Sequence, residues 1–118
     1  MSEDPIDSAR IEELRALVRE GQPDAFLMLA RIFLKDANER LVELRDSIEQ
    51  GNAQSVATHA HALRGSVANL GAVKLAEHCA ELERLGSSRN LEDAEAGLRR
   101  LESEFQRVQA FLQEQLRA

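Results

Sequence analysis

Apolar residues recur along this chain at intervals of three and four, and stretches of strict one-to-one alternation are missing. Such spacing is the signature of amphipathic helices. Ile11, Leu14, Leu17 and Val18 mark one stripe of a short first helix over roughly Asp7 to Glu20. A second helix starts near Pro23, a residue suited to a first helical turn, and runs to about Gln50. Its Leu27, Leu34, Leu41 and Ile48 recur every seven residues with Ala30, Ala37 and Leu44 between them, the pattern of a bundle seam. The third spans about Asn52, an apt N-cap, to Leu70, with Val56, Ala60, Leu63, Val67 and Leu70 as its buried stripe. The fourth, about Ala72 to Leu85, buries Leu75, Cys79 and Leu82. The last runs from about Asn90 nearly to the C-terminus, with Leu91, Ala94, Leu98, Leu101, Phe105, Val108 and Leu112 inward. Gly21, Gly51, Gly71 and Gly86 each follow a helix-like run, where C-terminal caps belong.

Short connections between long amphipathic helices imply antiparallel neighbours. The expected fold is therefore all-α: an up-down-up-down four-helix bundle with a short additional N-terminal helix, one domain over residues 1–118. A chain of 118 residues has room for one modest core. Composition agrees, being rich in leucine, alanine, glutamate and arginine and free of tyrosine and tryptophan. The net charge of −6 argues against nucleic-acid binding, which calls for a basic face. That charge is unevenly spread: no acidic residue occurs between Glu49 and Glu77, whereas Arg64 and Lys74 do. A segment kept neutral to basic suits an anionic group or an acidic partner, although an alanine-rich helix also produces one by chance. The single cysteine, Cys79, cannot form an internal disulfide and points to a reducing compartment. The first residues lack a signal-peptide pattern, and no apolar run reaches membrane-spanning length. The expectation is a cytoplasmic protein without membrane insertion, monomeric because the seams leave no large apolar stripe over. The initiator-like Met1 favours a free-standing protein, although a domain cut from a larger kinase would read the same.

The stretch His61-Ala62-Leu63-Arg64-Gly65-Ser66, followed by Leu70-Gly71-Ala72, carries the chemistry. With Val56, Ala60, Leu63 and Val67 defining the core direction, His61 lies roughly 140° away, toward solvent. Ala57, Thr58, Gly65 and Ala68 share its face, so the imidazole is ringed by small residues and open to a large partner. Gly65 costs about 1 kcal/mol relative to alanine in mid-helix, and close approach of another backbone is a reason to keep it. Arg64, one turn from His61, places a guanidinium where it could pair with phosphate oxygens. On the fourth helix Glu83 falls about 80° from the Leu75 direction, at the edge of the buried stripe. From there a carboxylate could take the Nδ1 proton of a histidine on the next helix, leaving the Nε2 lone pair outward. It could equally be one more solvated glutamate beside Glu77 and Glu81.

These residues, continued by Leu75, Cys79, Leu82 and Glu83, resemble the histidine-containing phosphotransfer (HPt) domain family. Its pattern is approximately H-x-L-K-G-S-S-x-x-L-G-A followed by L-x-x-x-C-x-x-L-E. The specific part of the resemblance is the 23-residue stretch from His61 to Glu83, and its general part, a four-helix bundle of this size, covers the whole chain. The resemblance implies that His61 accepts the phosphoryl group on Nε2 and that Arg64 stands where the family's usual lysine helps bind it. It implies that Gly65 lets a receiver domain approach, and that Glu83 hydrogen-bonds the histidine Nδ1. Two positions depart from the pattern: arginine replaces lysine at 64, and Val67 replaces the motif's second serine at a position facing the core. The partners implied are response-regulator receiver domains and a hybrid sensor histidine kinase. No cofactor of the chain's own is expected, Mg being supplied by the receiver domain during transfer. The implied protein is a phosphoryl carrier without intrinsic kinase activity, since no nucleotide-binding motif occurs.

The same residues admit three other readings. His59, on the flank of the core stripe, and His78, beside the buried stripe of its helix, fit boundary packing better than chemistry. A metal site from His59, His61, His78 and Cys79 is disfavoured because residues two apart diverge on a helix and no Glu-x-x-His pair occurs. A non-catalytic helical interaction module, binding receiver domains or kinases without phosphotransfer, remains the alternative function.

Overall fold

The computed structural model describes residues 4–117. Five helices follow in order, α1 (Ser8–Ala16), α2 (Ala25–Glu49), α3 (Ala53–Leu70), α4 (Val73–Ser87) and α5 (Leu91–Arg117), with no strand among the described residues. Helices α2 to α5 form the bundle, and α1 packs at the end where α2 begins and α3 turns into α4.

Side-chain caps start four of the helices. Asp7 accepts from the Ala9 N–H, Asp24 from Phe26 and Leu27, Asn52 from Ser55 and Asn90 from Asp93, each satisfying donors that a helix start leaves free. Asp24 thus displaces Pro23 as the boundary of α2: the proline lies just outside the cap rather than in the first turn. The N-terminal helix is shorter than its apolar pattern suggests. It stops at Ala16, leaving Leu17 74% exposed and Val18 outside the helix.

Three helices end in one turn type. After α2, Gly51 N–H bonds to Ile48 and Asn52 N–H to Ser47; after α3, Gly71 bonds to Ala68 and Ala72 to Val67; after α4, Arg89 bonds to Gly86 and Asn90 to Leu85. These are paired bonds of the Schellman kind, which need a left-handed residue directly after the helix. Gly51 (φ 70°), Gly71 (φ 90°) and Arg89 (φ 61°) supply it. Gly86, expected to end α4, is instead helical and buried within it, and Arg89 takes the capping place. Gly21 sits in the connection beyond α1 and caps no helix directly.

The core is continuous from Ile6 to Leu112. The stripes of α3 and α4 are buried as the sequence pattern indicates, as is that of α5 apart from the half-buried Leu91. On α2 the buried line is Phe26, Ala30, Phe33, Ala37, Leu41, Leu44 and Ser47, while Leu27, Leu34 and Ile48 only flank it. A straight helix of 3.6 residues per turn drifts about 20° per heptad, so a strict seven-residue seam does not stay inward. Phe33 meets Phe105 of α5 at a centroid distance of 6.0 Å. Met28, Ile32 and Val42 are left exposed on the outside of α2, so the apolar surface is less fully covered than the stripes imply.

Two contacts fix the α3–α4 hairpin at its ends. At the turn, Arg10 Nε donates to Asn69 O at 2.8 Å and Asp7 N–H to Gly71 O at 2.9 Å. A Cβ on Gly71 would lie 2.7 Å from both Cβ and Cγ of Arg10. The Leu70-Gly71-Ala72 stretch is therefore the seat of the N-terminal segment. At the open end, Gly86 rests on the backbone of α3, where a Cβ would lie 2.7 Å from Ala57 N and 2.9 Å from Ala53 O.

Candidate functional site

His61 stands on the solvent face of α3 with its side chain 65% exposed, opposite the buried Ala60, Leu63 and Val67. Its Nδ1 lies 3.0 Å from Oε2 of Glu83, which reaches across from α4 with only a quarter of its side chain exposed. The two residues meet because antiparallel helices touch closely at Gly86: His61 is one turn beyond Ala57, and Glu83 one turn before Gly86. An alanine at 86 would push the helices apart at the point that sets this distance.

Arg64 Nη2 is 3.3 Å from the same Nδ1 and 3.4 Å from Glu83 Oε1. A ring nitrogen that donates its proton to a carboxylate cannot also accept from a guanidinium. The consistent arrangement is Nδ1–H donated to Glu83 Oε2, with Arg64 serving the carboxylate as an ion-pair partner. Oε1 is buried without a hydrogen bond, so the guanidinium at 3.4 Å is the charge that compensates it. Held in this tautomer, the ring presents its Nε2 lone pair, and nothing among the described residues hydrogen-bonds that atom. The arrangement is an oriented, exposed nucleophile with a cation one turn away.

The small residues expected around the histidine divide into two groups. Thr58, Gly65 and Ala68 are exposed. The Thr58 hydroxyl is turned back onto Gln54 O at 3.0 Å, and a Cβ at Gly65 would meet nothing within 4 Å. Ala57 is half-buried beneath Gly86, so its small size serves helix packing. Beside His61 opens a shallow groove of about 990 Å³, running toward the starts of α3 and α5, with Asn52, Gln54, Thr58, Glu83, Ser87 and Arg89 among its lining. Sequence reasoning missed Gly86 and Arg89 here, because the Gly86-Ser87-Ser88-Arg89 run reads as a loop.

The remaining singled-out residues lie apart from this chemistry. His59 faces α2, with Nδ1 2.9 Å from Glu43 Oε2 and 3.0 Å from Arg40 Nη1, and ties the two helices together. His78 is half-buried on α4. Cys79 is fully buried, and burial pushes its thiol up to about 12, against a smaller opposing pull from the Arg64 charge. Among the described residues no three histidine, cysteine or carboxylate side chains converge as a metal site would require.

The Hpt domain family model matches residues 28–111. The chain is similar to histidine-containing phosphotransfer protein B (HptB) from Pseudomonas aeruginosa PAO1, a crystal structure 29% identical in sequence. The TM-score is 0.89, over 98% of this chain and 97% of that one. It has the same fold as the histidine-containing phosphotransfer protein ZmHP2 from maize, at 24% identity and a TM-score of 0.87, over 97% of this chain and 84% of that one. No curated protein matches the sequence.

Proposed function

The chain belongs to the Hpt domain family, a family of histidine phosphocarriers in phosphorelays, and from that premise we propose that His61 is the residue that carries the phosphoryl group. The observation behind this assignment is the 3.0 Å contact between Glu83 Oε2 and His61 Nδ1, which leaves Nε2 free and outward. In the forward step Nε2 attacks the phosphorus of a receiver's aspartyl phosphate in line. The new P–N bond forms as the P–O bond to the aspartate breaks, and the carboxylate departs on the receiver. Glu83 keeps the Nδ1 proton in place and balances the positive charge that grows on the ring. Arg64 can turn from Glu83 to the phosphoryl oxygens, which are within one helical turn. The reverse step returns the group to a second receiver. Mg held by the receiver would neutralise the equatorial oxygens during transfer.

On this reading the partners are receiver domains and a hybrid sensor histidine kinase, and the chain has no kinase activity of its own. It works as a monomer in the cytoplasm, a compartment that suits its lone reduced cysteine. Exposed Thr58, Gly65 and Ala68 give the receiver an approach free of large side chains. The test is transfer from a phosphorylated receiver to wild type and His61→Gln. Acid-labile, base-stable label on wild type alone is the expected result. Label retained by His61→Gln would move the carrier role to another residue, and no label on folded wild type would favour the interaction module.

A further inference from the structure

Three helices end in the same turn, and two of them place glycine in its left-handed position. The third places Arg89 there, the single non-glycine residue with positive φ among the described residues. A β-carbon disfavours that conformation and glycine adopts it freely. Nothing inside the molecule accounts for an arginine there: its side chain is exposed and makes no hydrogen bond or ion pair among the described residues. It does line the groove that also contains His61. The other groove residues are neutral, apart from Glu83, whose charge is already taken by His61 and Arg64. Arg89 is therefore an unpaired cation overlooking a neutral floor beside the nucleophile.

Its place along the bundle decides what it can reach. Gly86 touches α3 at Ala57. From that level His61 lies four residues toward one end of the bundle and Arg89 three residues toward the other, about 10 Å apart along the axis at 1.5 Å per residue. A phosphoryl group on Nε2 already has Arg64 beside it. Arg89 sits farther out, on the rim, where the edge of a docked domain would lie.

We propose that Arg89, with the groove it overlooks, is a docking contact for an acidic side chain of the receiver domain that exchanges phosphoryl groups with His61. This rests on the carrier reading, and it makes Arg89 a determinant of partner choice with no part in the chemical step. Rim charges act chiefly on association rate and its salt dependence, so the effect belongs in the second-order rate of transfer.

The experiment compares wild type, Arg89→Glu, Arg89→Gly and Arg89→Lys in two reactions. The first is loading from the phosphorylated receiver that labels wild type, across a salt series. The second is loading from phosphoramidate, a partner-free donor whose P–N bond breaks with release of ammonia as the bond to Nε2 forms. Arg89→Glu is expected to slow receiver-dependent loading about tenfold at low salt and to flatten its salt dependence. Arg89→Lys keeps the rate within about threefold. Arg89→Gly loses rate yet melts no lower than wild type, because the strained conformation is relieved; this separates lost docking from lost folding. Phosphoramidate loading stays at the wild-type rate in all three. Equal receiver-dependent rates for Arg89→Glu and wild type would overturn the proposal, as would an equal slowing of both reactions, which would place Arg89 at the phosphoryl group. If neither donor labels His61 in wild type, the carrier reading itself fails, and this proposal with it.

Discussion

Two glycines lie inside helices flanking the site, and alanine at each should shift stability in opposite directions. Gly86 packs on α3 so closely that a Cβ would stand 2.7 Å from Ala57 N, 2.9 Å from Ala53 O and 3.1 Å from Ala57 Cα. All three are backbone atoms, so no side-chain rotation relieves the overlap and the helices must separate. Overpacking of this kind costs about 1–3 kcal/mol, with the upper half of that range applying to backbone. Replacing a helix-interior glycine by alanine returns about 1 kcal/mol, and Gly86, next to last in α4, returns no more than that. Gly86→Ala should therefore lose about 1–2 kcal/mol net, a fall in Tm of about 4–8 °C for a domain of this size. Gly65, with nothing within 4 Å of its Cβ position, shows only the propensity gain, so Gly65→Ala should melt about 4 °C higher. Thermal unfolding followed by circular dichroism at 222 nm measures both. The chemical consequence is separate: in Gly86→Ala the ring of His61 should lose its fixed tautomer, visible in the nitrogen-15 shifts of the imidazole. Melting of Gly86→Ala at or above wild type would refute the argument that this glycine sets the distance between α3 and α4.

Other outcomes follow from the same geometry. Glu83→Ala removes the acceptor at Nδ1 and should slow loading of His61 roughly tenfold with little change in Tm; an unchanged rate would show that the contact does not orient the ring. Gly71→Ala forces a side chain into a left-handed residue and against Arg10, and should cost about 1–2 kcal/mol, with faster hydrogen exchange in α1 as the accompanying sign. The Cys79 thiol, raised from 9.0 to about 12, stays protonated in the folded state at pH 9–11, whereas in the unfolded chain it ionises near 9. Its contribution to stability is therefore full below pH 9 and declines as pH rises toward 12. Wild type should lose more stability than Cys79→Ala over that window in urea titrations, and the native thiol should resist aromatic disulfide reagents at pH 8.

The sequence shows the helices wherever one face is unambiguously apolar. The α3 stripe is read without error because Val56, Ala60, Leu63, Val67 and Leu70 keep true helical spacing, and the same spacing places His61 outward. The α2 seam is read in part: Ala30, Ala37, Leu41 and Leu44 are buried as expected, but Leu27, Leu34 and Ile48 only flank the core because leucines happen to recur every seven residues, whereas Phe26 and Phe33 keep better to the inward line. Polar residues in the interior are invisible to such patterns. Ser47 is buried because its hydroxyl finds Glu43 O and the Ser55 hydroxyl, and Glu104 is buried beside Arg107; both are tertiary facts. At the site, the histidine, the cation and the carboxylate are all legible in the sequence. What escapes it is the glycine that brings them together. A glycine followed by two serines looks like a helix stop, and only the neighbouring backbone shows why the helix continues through it.

The assembled hairpin has a further consequence. His61, Arg64, Glu83 and Gly86 all belong to α3 and α4, two successive helices joined by Gly71 and Ala72 alone. Ring closure over so short a linker costs little chain entropy, so both halves of the site meet locally. Helices α2 and α5 need only roof this unit with apolar side chains of about the right bulk, a requirement that many sequences meet. The reactive part is thus a self-contained hairpin, and substitutions on the outer faces of α2 and α5 should leave the exposed histidine and its carboxylate partner in place.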